Sequence, residues 1–264
     1  MNTAIQMPPK PRISPALVTG LLPFIVILAA WALTPQISDI PAYKLPSPGK
    51  VWGIFQDMLL DGSLLSEVWA SLQRLATAYV LGNLIAIPLG LAIALNRAVA
   101  ETLTPVLSFF QSIAGIAWVP LAIIWFGVGG GSVLFVIVNT IFFSSIYSTV
   151  IGVQSIPPVL YRAAQSHGAN RWDVITTVVV PGALVQILVG LRTSMAYGWR
   201  ALVAAEMIAG TNGIGYMTLE AVQWYQTEIV VLGMILIGIL WLVLDRLLFV
   251  PIERVTVRRW GLVS

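Results

Sequence analysis

The chain has 264 residues, of which 58% are hydrophobic and only 9% charged, against about 25% charged in an ordinary soluble domain, so a water-soluble globular protein is excluded and a membrane protein indicated. A net charge of +3 could suggest nucleic acid, but the basic residues gather at chain ends and in loops without forming a stripe, which fits the basic bias of cytoplasmic loops instead. With no cysteine, disulfides, thiolate metal sites and cysteine nucleophiles are excluded as well.

Residues 1–15 form a Pro-rich tail carrying Lys10 and Arg12, followed by an apolar run over 16–33. A cleaved secretory leader has this outline, yet the run is long and no small-x-small site follows, so an uncleaved first span is expected. Residues 39–49 are Pro-rich and hold Tyr43 and Lys44, which reads as an extended interfacial stretch. A helix then opens at Ser47 or Pro48, with Val51, Ile54, Phe55, Met58 and Leu59 on one face. That face suits the membrane surface or a neighbouring subunit, and equally packing on its own chain.

A second span is expected over 72–95. No charge occurs between Glu101 and Arg162, room for two crossings of about 20 residues each. The Gly127-Val128-Gly129-Gly130-Gly131 hinge divides the run into spans at 103–126 and 132–153. A fifth span covers 174–205, interrupted by Pro181, and a sixth covers 229–250. The fold class is therefore all-α: a single polytopic domain over 1–264 with about six transmembrane helices. Six crossings place Lys10 and Arg12, then Arg97, then Arg162 and Arg171, then Arg254, Arg258 and Arg259 on one side, identified as cytoplasmic by the basic-loop bias; both termini are expected there.

Between the fourth and fifth spans lies a polar, punctuated segment, residues 157–181. Pro157 and Pro158 suit a helix start, and Gly168 suits a left-handed cap at its end. Asn170 can cap a second helix, with Asp173 at the positive end of its dipole. Leu160, Tyr161 and Trp172 are apolar company for a cytoplasmic loop and suggest contact with another protein. His167 is the only histidine and cannot make a metal site alone; it reads as a surface residue of the loop.

The series Ala163-Ala164-x3-Gly168-x9-Val178-x-Val180-Pro181 resembles the EAA loop of ABC-importer permeases, whose pattern is Glu-Ala-Ala-x3-Gly-x9-Ile-x-Leu-Pro. Arg162 stands where that family has glutamate, so a salt bridge made by the glutamate does not carry over. Residues 118–132 and 199–217 are similar to segments of the nitrate, taurine, alkanesulfonate and bicarbonate branch, and the likeness extends over about residues 70–250. The resemblance implies a bacterial cytoplasmic (inner) membrane permease whose coupling loop, residues 157–173, docks on an ATPase. Leu160, Tyr161, Arg162, Ala163, Ala164, His167, Gly168, Ala169, Arg171 and Trp172 would form that contact. It further implies a second permease copy as homodimer, two ATPase subunits, an external or periplasmic solute-binding protein, and a small anionic solute. No cofactor is expected on this chain: it has no phosphate loop, so ATP and Mg belong to the partner, and the chain is not itself an enzyme.

Charges in the fifth span should avoid lipid, since one at mid-membrane costs at least about 2.5 kcal/mol. Arg200 with Trp199 could line the translocation path and favour an anion; alternatively Arg200 pairs with Glu206 or a neighbouring subunit. Gln111, Asn139, Ser144 and Ser145 offer neutral hydrogen bonds to the path, or glue helices together. Residues 210–215 are a Gly-rich outward turn that permits close backbone approach or a gate. Two other classes stay open from the residues alone. A secondary transporter should show repeated halves, and none is evident. A membrane-embedded enzyme needs facing nucleophile and base, for which candidates are nearly absent.

Overall fold

The computed structural model describes residues 15–37, 41 and 43–251, and every regular element among them is helical. The N-terminal tail and the basic residues Lys10, Arg12, Arg254, Arg258 and Arg259 lie outside the described residues. The elements are α1 (Pro15–Ile37), α2 (Pro48–Leu60), α3 (Ser63–Leu95), α4 (Arg97–Gln111), α5 (Val119–Phe126), α6 (Gly130–Gln154), α7 (Pro158–Ser166), α8 (Arg171–Val174), α9 (Val180–Ala209), α10 (Ile214–Gln223) and α11 (Thr227–Leu244). Among the described residues, four helices are long and apolar enough to cross a bilayer, and the bent pair around residue 113 makes a fifth if counted as one span.

Small residues set the packing of the central trio α3, α6 and α9. A β-carbon on Gly82 would stand 2.8 Å from Ile141, and one on Gly90 2.8 Å from Thr149, so α3 and α6 run parallel with backbones in close approach. Gly198 meets the same Ile141, and Gly152 meets Gln186, so α9 runs antiparallel to α6. Across the trio, Ser145 donates to Asn83 at 2.5 Å; both are buried, so Ser145 binds helices together rather than facing a path.

Parallel α3 and α6 require the chain between them to return from one end of the bundle to the other. A single straight span over 103–126 is expected to make that return, but the chain makes it in two pieces. Helix α4 stops at Gln111, a 3-10 turn covers Gly115–Trp118, and α5 leaves at 87° to α4. Val99 and Leu103 pack on Ile93 and Ile146 at one end, and Gly130, just past α5, lies beside Arg74 at the other. Pro120 sits in the first turn of α5, where its missing N–H would have no partner within the helix.

Pro181, by contrast, does not interrupt its span. The helix continues from Arg171 to Ala209 because residues Ile175–Val179 form a π turn, in which the Val180 N–H reaches back to the Ile175 carbonyl. Widening the turn relieves the clash and the missing donor that a proline brings. An equivalent π turn at Asp245–Phe249 precedes Pro251. For α2, packing on the chain itself is what occurs: Val51, Ile54, Phe55 and Met58 join the main core, while Leu59 stays exposed.

Candidate functional site

At one end of the bundle α7 and α8 form an elbow. Gly168 has φ +80°, and the turn carries the paired bonds of a Schellman motif, Ala169 N–H to the Ala164 carbonyl (3.1 Å) and Gly168 N–H to the Gln165 carbonyl (3.0 Å). The Asn170 side chain accepts from the Trp172 and Asp173 amides, both at 2.9 Å, and Asp173 accepts from the Asn170 amide at 3.0 Å, closing a capping box. The backbone of the elbow is thus satisfied locally, and its side chains are left over. Leu160 is 47% and Trp172 70% exposed; Arg162, Ala163, His167 and Arg171 are exposed too, with Tyr161, Ala164 and Ala169 half-buried. Burial pushes the Tyr161 phenol up from its ordinary value. A cavity of about 590 Å³ lies between the elbow and the α3–α4 junction, lined among others by Tyr161, Gln165, Asn170, Arg171 and Asn96.

Midway along the bundle is a second concavity of about 390 Å³, open to one side. Gln111, Asn139, Thr140, Ser144, Thr193 and Tyr197 are among its lining residues, none of which is charged. Gln111 and Asn139, from distant parts of the sequence, are brought together here. Arg200 is exposed beside the groove, its guanidinium 5.8 Å from the Tyr197 ring centre.

Trp199 and Glu206 belong elsewhere, which corrects their expected place on the path. Trp199 is 4% exposed in the main core. Glu206 is fully buried and pairs with Arg74 at 2.7 Å, not with Arg200. Its carboxylate also accepts from Ser71 Oγ (2.9 and 2.8 Å) and from the Gly215 amide (3.0 Å). Arg74 donates onward to the Asn212 carbonyl (2.9 Å) and side chain, the Ile214 amide donates to Ser71 Oγ (2.9 Å), and the Gly213 amide donates to Glu67. Close backbone approach is therefore the role of the 210–215 glycines, since a β-carbon at Gly213 would collide with the Glu206 carboxylate. Arg192, a further charge of the fifth span, makes a two-pronged bridge to Asp245 at 2.7 Å.

Residues 86–256 match the family described as binding-protein-dependent transport system inner membrane component. The taurine transport system permease protein TauC of Escherichia coli strain K12 is 36% identical over 225 residues, covering 83% of this chain and 82% of that one. The bicarbonate transport system permease protein CmpB of Synechococcus elongatus is 34% identical, covering 71% and 68%, and the nitrate import permease protein NrtB of Leptolyngbya laminosa 28% identical, covering 85% and 82%. The chain belongs to this permease family. Its fold is similar to that of a chain in inward-facing structures of the MetNI methionine ABC transporter, with a TM-score of 0.59 over 72% of this chain and 96% of that one at 17% identity.

The protein is thus a multi-pass inner-membrane permease subunit of an ATP-driven ABC importer, and the secondary-transporter and membrane-enzyme readings fall away. Sequence reasoning about this permease reached the elbow and half of the groove. It missed Thr140, Thr193 and Tyr197 as groove residues and Arg74, Ser71 and Glu67 as partners of Glu206. Arg74 lies 132 positions from Glu206. The available signal was the i, i+4, i+7 spacing of Glu67, Ser71 and Arg74 on one face of α3, which marks a polar stripe but not what it meets.

Proposed function

We propose that the permease works as a homodimer, that each elbow docks in a groove on one of two ATPase subunits, and that an external solute-binding protein delivers a small anion such as a sulfonate, nitrate or bicarbonate. Three named relatives transport taurine, bicarbonate and nitrate, all small solutes bearing an anionic oxygen group. The observation that carries the docking is the elbow itself: Leu160 and Trp172 stay exposed on a polar segment whose backbone is already satisfied, as a preformed contact requires. The elbow and Arg97 share one end of the bundle, and the basic-loop bias assigns that end and both termini to the cytoplasm. ATP binding closes the ATPase pair and draws the two elbows together, the cavity between permeases opens outward, and hydrolysis resets it. ATP and Mg stay on the ATPase chains.

The solute route follows from the groove. An open concavity lined with amide and hydroxyl groups is a poor neighbour for lipid tails, so a second copy covers it and completes the path. Its neutral donors, with Arg200 at the rim, suit an anion that must be held weakly enough to leave. Co-purification tests the elbow: wild-type permease brings down its ATPase, and a Leu160→Ala/Trp172→Ala pair that still reaches the membrane does not. Retained association would overturn the docking. Uptake by Arg200→Gln tests the rim, with reduced anion import as the expected result.

A further inference from the structure

The Arg74–Glu206 cluster contributes neither to the elbow nor to the groove, yet it fixes one part of the molecule. Glu67, Ser71 and Arg74 hold residues 212–214, where α10 begins, and Glu206 holds Arg74 and Gly215. From that anchor α10 runs ten residues to Gln223 and ends in an exposed pair, Trp224 at 71% and Tyr225 at 83%. Tyr225 has φ +56°, the positive-φ residue other than glycine among the described residues; it is the left-handed cap of α10, closed by the Gln226 N–H to the Ala221 carbonyl (2.8 Å) and the Tyr225 N–H to the Val222 carbonyl (3.2 Å). The segments at this end carry more carboxylates than lysines: Asp57, Asp61, Glu220 and Glu228 against Lys44 and Lys50. The Tyr43 carbonyl accepts from Thr227 Oγ1, which joins the α1–α2 segment to this rim of the bundle. The whole face lies at the end of the bundle opposite the elbow.

We propose that Arg74 and Glu206 are positioning residues that lock α10 to α3, and thereby hold this acidic, aromatic rim in register for a solute-binding protein with a basic docking face. The rim's charge selects the occupant: a lipid boundary favours apolar side chains with basic ones, whereas excess carboxylate calls for a partner of opposite sign. The buried pair supplies rigidity, so little ordering is left to be done on docking. The inference rests on the importer reading above, in which a binding protein docks at this end.

The test uses the complete complex of permease and ATPase in proteoliposomes, titrated with the system's solute-binding protein carrying its bound solute. Wild type should show ATP hydrolysis that saturates with binding protein; its absence would sink the importer reading rather than this one. Glu206→Gln keeps the side chain's size and removes the charge that holds Arg74. The concentration for half-maximal stimulation should rise about tenfold while hydrolysis without binding protein is unchanged. An unshifted half-maximal concentration, or equal loss of both activities per assembled complex, overturns the positioning role. If Glu206→Gln does not assemble, the exposed Glu220→Lys variant decides, with the same shift expected and an unshifted titration overturning the proposal. Because the chain has no cysteine, Trp224→Cys can carry a single photo-crosslinker. Attachment to the binding protein supports the rim; attachment only to lipid or to the second permease refutes it.

Discussion

The two ends of the bundle are built on opposite plans. At the elbow, bonds between residues at most five apart satisfy the backbone, and the apolar side chains Leu160 and Trp172 face outward. At the other end residues 212–214 are satisfied by side chains from more than 130 positions away, and the centre of that cluster, Glu206, has no exposed surface. A locally stable elbow can be gripped and displaced as a lever without unfolding. A turn fixed by buried long-range bonds belongs to the body it is tied to. Motion is expected to enter at the first and to be carried rigidly at the second.

Substitutions can break this contrast, and they rank by the stability each is expected to cost. Arg74→Ala leaves the Glu206 carboxylate buried without its cation and should cost about 3 kcal/mol, read as reduced thermal stability and yield of the solubilised permease. Gly168→Val strains the left-handed corner by about 1–2 kcal/mol; nothing lies within 4 Å of its β-carbon position, so the bundle should stay folded while ATPase capture falls. Asn170→Ala removes the cap of α8 and should weaken the elbow by about 1 kcal/mol, visible as faster amide exchange over 171–174 with the rest of the permease unchanged. Arg97→Ala breaks a solvent-exposed i, i+4 pair with Glu101 and should leave thermal stability unchanged within error. If Gly168→Val destabilised the bundle as much as Arg74→Ala, the elbow would not be the independent unit described here.

The same contrast separates what could be read along the chain from what could not. Composition dictated a helical membrane protein, because a backbone in lipid has to satisfy its polar groups within the segment. The elbow was legible down to Gly168, Asn170 and Asp173, since caps and corners are decided by residues within one turn of each other. Folding in space decided the rest. The run over 103–126 reads as one uninterrupted apolar span but is bent by 87° between α4 and α5, and a π turn carried the helix past Pro181. Glu206 could be recognised as a charge needing company, but its partner, Arg74 rather than Arg200, depended on which helix came to lie beside it. Hydropathy and capping act over a few residues, whereas ion pairing and groove formation act across contacts that linear spacing does not encode.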